Sequence, residues 1–264
     1  MGTVGWNKER SARTILNTDL YIKEISIQKE IPKEDYINTL PVVSFLKKHA
    51  LTFEKPVSFL VGENGIGKST LIEAVAISLG FNPEGGSKNF CFSTENSHSD
   101  LHEYLSVVKG IKRPLDGYFL RAESFYNVAT NIDELDRAPA GAPAIIESYG
   151  GVSLHRQSHG ESFMTLIEER FGGNGIYILD EPEAALSPMR LMRLLYNINR
   201  LVQKNSQFMI STHSPILMAF PNADVFEITE TGIQKVSYQE TEHYQVTKRF
   251  LEDPQRMLHY LLDT

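Results

Sequence analysis

A glycine-rich pattern in the first third of the chain constrains the fold most. Residues 62–69 read Gly-Glu-Asn-Gly-Ile-Gly-Lys-Ser, which fits G-x-x-x-x-G-K-[ST]. The apolar run 56–61 precedes this pattern and predicts a buried strand. Residues 68–79 follow with the spacing of an amphipathic helix, which Gly80 would end. A strand, a glycine loop and a helix in this order predict a loop that wraps an anion at a helix N-terminus.

The residues of this loop predict a site for ATP and Mg²⁺. Its glycines would let backbone N–H groups point inward around phosphate, and the helix dipole would add positive potential. Lys68 would reach the β- and γ-phosphates, and the Ser69 hydroxyl would ligate Mg²⁺. The predicted nucleotide-binding residues of the loop are Gly62, Glu63, Asn64, Gly65, Ile66, Gly67, Lys68, Ser69 and Thr70.

The rest of the chain alternates between strand-like and helix-like segments. Strands are predicted at residues 21–28, 116–121, 175–179, 207–211 and 224–229, and helices at residues 124–136, 187–203, 242–251 and 254–262. Such alternation predicts an α/β fold with a mostly parallel central sheet. No linker is long enough to separate two domains. We therefore expect one domain over residues 1–264, with a small helical lobe inserted at about residues 120–172.

Two acidic residues at the end of an apolar strand predict the metal ligand and the general base. Asp180 is expected to hold Mg²⁺, directly or through water, because a hard cation prefers carboxylate oxygens. Glu181 is then free to orient or deprotonate the attacking water. This strand is expected to lie beside the phosphate loop. His213 follows the next strand, 33 residues beyond Asp180, and would contact the γ-phosphate from the same edge of the sheet.

Composition bears on location and on nucleic-acid binding. We expect a cytoplasmic protein, because no segment is apolar enough to span a membrane and no secretory signal is present. The single cysteine, Cys91, fits a reducing compartment and is expected to be a small core residue. A net charge of −7 argues against wrapping nucleic acid with the whole surface. The candidates for a local basic patch are Lys109, Lys112, Arg113 and Arg121.

Residues 158–162, Ser-His-Gly-Glu-Ser, resemble the signature motif of the ABC ATPase superfamily. That motif is commonly Leu-Ser-Gly-Gly-Gln, or Leu-Ser-Gly-Gly-Glu in DNA-repair and SMC relatives. Here Gln157 replaces the leucine and His159 the first glycine, while the other positions match. With the motifs above, the resemblance covers about residues 21–231. It implies a P-loop NTPase of the ABC-ATPase type, with antiparallel strands flanking the mostly parallel sheet and a helical lobe that carries the signature motif.

The resemblance also implies a partner. In the superfamily, the signature motif completes the nucleotide site of a second subunit, so a head-to-tail homodimer clasping two ATP molecules is expected. Ser158, His159, Gly160 and Glu161 would then contact the nucleotide bound by the second copy. Residues 184–187 match the D-loop position and would lie at the dimer seam.

For two other positions of the superfamily pattern, the metal-binding glutamine and the aromatic residue that stacks on adenine, this sequence offers only candidate residues. A glutamine that normally helps to bind Mg²⁺ and water is missing, and Glu123 is the candidate metal ligand in its place. Tyr21 and Tyr36 are the candidates for stacking on adenine, although a tyrosine in an N-terminal strand is more often a core residue.

Only 88 residues separate Ser69 from Ser158, too few for the long coiled coil of SMC and double-strand-break repair relatives. A compact lobe is expected instead, and the Gly-x-Asn-Gly-x-Gly-Lys-Ser spelling of the loop together with this small lobe resembles soluble ATPases of the RecF and overcoming-lysogenization-defect types, some of which act with nuclease or toxin partners. The expected function is a Mg²⁺-dependent ATPase whose ATP-driven dimer switches a partner protein or a DNA transaction. One alternative is the nucleotide-binding subunit of an ABC transporter. The other is a P-loop kinase for a small metabolite, which would need no contact from Ser158.

Overall fold

A computed structural model describes residues 20–88, 99–137 and 145–262 of the chain. Cys91 and its expected place in the core lie outside these residues. Within them, the strands are β1 (Ile22–Ile27), β2 (Leu51–Thr52), β3 (Val57–Val61), β4 (Leu105–Lys109), β5 (Asp116–Arg121), β6 (Gly175–Asp180), β7 (Gln207–Ser211), β8 (Asp224–Thr229) and β9 (Gly232–Val236).

The central sheet has the strand order β5-β6-β7-β3-β8-β9. Every neighbouring pair from β5 to β8 is parallel, and β9 joins β8 as an antiparallel hairpin. This confirms the predicted α/β fold with a mostly parallel sheet. A second, antiparallel sheet of order β2-β1-β4 supplies the flanking strands that the resemblance implied.

Most of the helices lie between parallel strands along the chain, and helices pack on both faces of the central sheet. They are α1 (Pro41–Leu46), α2 (Lys68–Ser78), α3 (Leu101–Tyr104), α4 (Phe125–Arg137), α5 (His159–Thr165), α6 (Pro188–Val202), α7 (Pro215–Met218), α8 (Glu242–Glu252) and α9 (Pro254–Leu262). The predicted helices appear as α2, α4, α6, α8 and α9. After α5, the chain continues as a π-helical turn over Leu166–Arg170.

The central sheet separates two hydrophobic cores, because side chains alternate along each strand. On β3, Val57, Phe59 and Val61 belong to one core, together with residues of α4, α5 and α6. Leu60 points to the other core, which α2 and β1 complete. All five residues of β3 are buried, as expected for a strand covered on both faces.

The parallel strands bring the predicted site residues to one edge of the sheet. The carboxyl ends of β3, β6 and β7 carry the phosphate loop, the two acids and His213, respectively. β6 does not pair with β3, because β7 lies between them. The expectation that β6 lies beside the phosphate loop therefore holds only at its tip, where Asp180 reaches across to Ser69.

Candidate nucleotide-binding site

The phosphate loop follows β3 directly and leads into α2. Three of its glycines have positive φ angles: 149° at Gly62, 81° at Gly65 and 100° at Gly67. At Gly62 the loop also approaches β8 closely, since a Cβ there would lie 2.3 Å from the Ile228 carbonyl oxygen. The loop is therefore shaped by backbone conformations and contacts that favour glycine.

Some side chains of the phosphate loop are buried, and others are exposed. Ile66 and Lys68 are buried, Glu63 and Asn64 are exposed, and Thr70 is half-buried. The Lys68 ammonium donates hydrogen bonds of 2.8 Å to the carbonyl oxygens of Gly62 and Glu63. The loop thus holds a buried cation at its centre.

Nearby carboxylates balance this cation. Burial lowers the pKa of Lys68, while the negative charges of Glu181 and Asp180 act in the opposite direction. The phosphate loop and the tip of β6 therefore form one electrostatic unit.

Ser69 and Asp180 place two hard oxygen donors side by side. The Ser69 hydroxyl donates a 3.0 Å hydrogen bond to Asp180 Oδ1, which also accepts a hydrogen bond from Ser211. Arg121 Nε lies 3.6 Å from Asp180 Oδ2. Burial raises the pKa of Asp180, although the hydrogen bond from Ser211 and the charge of Arg121 oppose this rise.

This pair of oxygens fits Mg²⁺, which is usually bound by one or two protein ligands together with water and substrate phosphates. No group of three or more His, Cys, Asp or Glu side chains suited to a metal ion occurs in the described parts of the chain. A metal here would therefore use Ser69 and Asp180 with the phosphates, rather than a site built from protein ligands alone.

Glu181 lies next to His213 at the same sheet edge. Its backbone adopts φ 47° and ψ 55°, a left-handed conformation that is uncommon for a residue other than glycine or asparagine. The Glu181 N–H donates to the hydroxyl and the carbonyl of Ser211, which holds this turn in place. Glu181 Oε1 lies 3.2 Å from His213 Nε2. A strained residue at this position is typical of a functional site.

His213 is partly buried among charged groups. Burial lowers its pKa, the charge of Lys68 lowers it further, and the carboxylate of Glu181 opposes both effects. The second imidazole nitrogen, Nδ1, lies 2.8 Å from Nε2 of His243. His213 therefore links Glu181, at the tip of β6, to His243 in α8.

A third acid near the site went unnoticed in the sequence. The carboxylate of Glu183 accepts a 2.8 Å hydrogen bond from the Thr212 hydroxyl and another from the backbone N–H of His213. Burial raises the pKa of Glu183. Glu183 thereby fixes the turn that carries His213. The only sequence feature that could have indicated Glu183 is its position two residues after Glu181. This feature is weak, because acidic residues are common in turns that follow strands.

The signature-like segment begins α5, with Ser158 and Glu161 exposed and with Gly160 and Ser162 buried. The backbone N–H and the hydroxyl of Ser158 both donate to Glu161 Oε2, at 3.1 and 2.7 Å. Gly160 packs so closely that a Cβ would lie 2.8 Å from the Ala185 carbonyl oxygen. The segment 158–162 is therefore held against residues 184–187, while Ser158 itself remains exposed.

His159 does not share the exposure of Ser158. Its half-buried ring packs on Phe125 and Tyr126 of α4, with centroid distances of 5.6 and 4.9 Å. His159, which replaces the first glycine of the motif, therefore packs against α4 of the same lobe.

The structure gives three other predicted residues different surroundings. The Glu123 side chain is 86% exposed, and its closest charged contact is Arg121, at 3.8 Å. Tyr21 is buried at the opposite end of the sheet, where its hydroxyl donates to the Asn205 carbonyl. Tyr36 is exposed. The position of Tyr21 does not fit adenine stacking, whereas stacking by Tyr36 and the metal role of Glu123 stay predictions.

The fold and the site together are those of a P-loop nucleotide-binding domain, in which a glycine loop joins a buried strand to the N-terminus of a helix. An AAA domain family model matches residues 42–126. A second family model, described as AAA domain, putative AbiEii toxin, Type IV TA system, matches residues 152–219. The two matches fall on the phosphate-loop half and the signature-like half of the chain. No curated protein matches the chain significantly.

The solved structures to which this chain is similar include both SMC and transporter proteins. The SMC head domain from Thermotoga maritima is 16% identical, with 83% of this chain and 99% of that chain covered and a TM-score of 0.42. CbiO1 from Clostridium perfringens, part of the ABC transporter complex cbiONQ, is 16% identical, with 92% and 99% covered and a TM-score of 0.46. A putative metal-chelate type ABC transporter is 13% identical, with 86% and 88% covered and a TM-score of 0.48.

Proposed function

We propose that this chain hydrolyses ATP with Mg²⁺, and that ATP closes a head-to-tail homodimer which acts as a switch for a partner protein or a DNA transaction. The observation that carries the proposal is the convergence of separate motifs on the phosphate loop. Asp180 contacts Ser69, and His213 contacts Glu181. We further propose a cytoplasmic location. None of the described helices is long and apolar enough to cross a membrane.

Each side chain then has a separate task in hydrolysis. Lys68 would exchange its loop carbonyls for phosphate oxygens, and Ser69 and Asp180 would hold Mg²⁺, which offsets the charge that develops on the phosphates. Glu181 would accept a proton from water as the water oxygen bonds to the γ-phosphorus. The bond from that phosphorus to the bridging oxygen breaks, giving ADP and inorganic phosphate. His213 would orient Glu181 and the γ-phosphate.

The exposed position of Ser158 in the signature-like turn supports the dimer part of the proposal. Ser158 lies at a helix N-terminus and is open to contact from outside, and Gly160 brings the turn close to residues 184–187. A hydroxyl and backbone N–H groups at such a terminus suit a phosphate of a nucleotide held by a second copy. Residues 120–172 would form the inserted lobe that presents this turn, within one domain over residues 1–264.

Replacing the general base tests the proposal. Glu181→Gln should bind ATP but lower the hydrolysis rate by about 10²–10⁴-fold, because an amide cannot accept the proton from water. The variant should accumulate as an ATP-dependent dimer, measured by light scattering. Glu34→Gln, which changes an exposed acid in a loop, is the matched control and should behave as the parent. Normal turnover by Glu181→Gln would contradict the assignment of the base.

A transporter subunit remains the alternative and makes a different prediction. Such a subunit should co-purify with integral membrane proteins from solubilised membranes, whereas the proposed switch should be recovered without them. A nuclease or toxin partner is part of the main proposal. Pull-down from the native host with and without ATP would identify the partner.

A further inference from the structure

A histidine outside every motif contacts the candidate γ-phosphate sensor. His243 lies in the first turn of α8, and its Nε2 is 2.8 Å from Nδ1 of His213. The two rings are tilted by 56°, with centroids 4.9 Å apart. The other nitrogen of His213 faces Glu181 at 3.2 Å. The three side chains therefore form a continuous line from α8 to the proposed general base.

The line has one favourable arrangement of protons. A neutral imidazole has one N–H donor and one acceptor nitrogen, so the proton on His213 must be at Nδ1 or at Nε2. A carboxylate can only accept, so the nitrogen that faces Glu181 should carry the proton. Nδ1 of His213 is then the acceptor, and His243 must donate to it through its own Nε2–H.

The surroundings of His243 agree with this direction. Its Nδ1 is buried and has no hydrogen-bond partner among the described residues. If His243 accepted from His213 instead, its own proton would be on this buried nitrogen, and an unpaired buried N–H is costly. A bare acceptor nitrogen at that position is the less costly alternative.

The start of α8 is fixed to the rest of the protein, so the position of His243 is set by the fold. The buried Thr241 caps the helix by accepting from the Tyr244 N–H at 3.4 Å. The Glu242 N–H donates to Glu227 on β8, at 3.0 Å. These contacts tie the first turn of α8 to the strand next to β3 and leave His243 little freedom to move away from His213.

We infer that His243 is a positioning residue, which acts through His213 by holding the proton of that ring on Nε2, facing Glu181 and the γ-phosphate position. The inference rests on the proposed ATPase function. Without the donor from His243, the proton of His213 can move to Nδ1. The nitrogen at the reaction centre would then be an acceptor that faces a carboxylate or a phosphate oxygen, and both contacts would be unfavourable.

The kinetic test compares variants with and without a donor at this position. His243→Ala should lower kcat about tenfold, as expected for the loss of one well-placed hydrogen bond, and should leave the Kd for ATP unchanged. His243→Gln should restore kcat to within about threefold of the parent, because its amide N–H can donate to Nδ1. His259→Ala, on the neighbouring α9, is the control and should keep the parental kcat.

Equal losses of kcat in the alanine and glutamine variants would overturn the inference, as would a change confined to ATP affinity or a parental kcat in His243→Ala. Thermal melting establishes that each variant is folded before its kinetics are compared.

A second measurement does not depend on turnover. Long-range ¹H–¹⁵N spectra report which nitrogen of His213 carries the proton, with its signals assigned by their loss in His213→Gln. The parent should show the Nε2–H form, and His243→Ala should show a mixture of both forms. An unchanged Nε2–H form in His243→Ala would overturn the inference. If the parent hydrolyses no ATP but the tautomer changes as expected, the proposed function fails while the coupling between the two histidines stands.

Discussion

Of the three glycines in the phosphate loop, Gly62 has the least room for a side chain, and the atom in the way is a backbone carbonyl oxygen. Gly62→Ala would place a methyl group against the Ile228 carbonyl at a φ of 149°. We expect a loss of about 2–5 kcal/mol in the free energy of unfolding, from backbone strain together with overpacking. Denaturant unfolding would measure this loss. Gly65→Ala is the control, because its Cβ would meet nothing within 4 Å, and it should lose only about 1–2 kcal/mol. Equal losses in both variants would contradict the role of the β8 contact.

At the residue scale, the sequence predicted those site residues that are part of a recognisable motif. Lys68, Ser69 and Asp180 were assigned from a loop motif and from an acidic strand end, and the structure brings them together. His243 could not be predicted, since a single histidine in a helix carries no pattern, and its contact with His213 joins residues 30 positions apart. The left-handed conformation of Glu181 also has no signal in the sequence.

The first turn of α5 is the element on which the proposed dimer depends. Ser158→Arg should abolish the ATP-dependent dimer formed by Glu181→Gln, because a long cation would replace a small hydroxyl at the seam. The substitution also removes a helix cap, at a cost of about 1 kcal/mol. ATP binding by each protomer should persist. Light scattering with ATP and nucleotide-binding titrations would measure the two outcomes.

Ser237 provides a matched control for this substitution. It makes the same pair of hydrogen bonds to the glutamate three positions on, at 2.9 and 2.8 Å to Glu240. Ser237→Arg should therefore cost a similar amount of stability without affecting the dimer. Dimerisation of Ser158→Arg at the parental ATP concentration would contradict the head-to-tail arrangement and favour a kinase that acts as a single protomer.

At the scale of elements, burial decided what could be predicted. Strands β3, β6 and β7 are apolar runs bounded by turn residues, so their sequence signal was strong. β2 has two residues and β4 is only partly buried, so neither stands out in the sequence. Both form through distant pairing with β1, such as Ile27 with Leu105. Local patterns contain no information about such pairing.

At the scale of the whole molecule, the two ends of the parallel sheet differ in chemistry. The phosphate loop lies at the carboxyl end. At the amino end, a cavity of about 530 Å³ opens beside the starts of β1 and β6. Its cationic side chains are Lys88, Lys109, Lys112 and Arg113, and none of the described residues that line it is acidic. Arg121 of the predicted patch lies instead at the carboxyl end, beside Asp180.

This cavity gives the candidate basic patch a definite place, where contact with nucleic acid can be tested. If phosphates bind there, affinity for an oligonucleotide should fall as salt rises, because bound counterions are released from the nucleic acid. Reversing the charges of Lys109 and Lys112 to glutamate should weaken binding and reduce the slope of log affinity against log salt by about two. Fluorescence anisotropy at several salt concentrations would measure both effects.

The control for this experiment must carry the same change in charge. Lys47→Glu with Lys48→Glu alters two exposed lysines that do not line the cavity. On a chain with a net charge of −7, a general electrostatic effect would weaken binding equally in both double variants. Greater loss in the Lys109 and Lys112 variant would locate the contact at the amino end of the sheet. Equal loss, or binding that salt does not weaken, would contradict a phosphate site in the cavity.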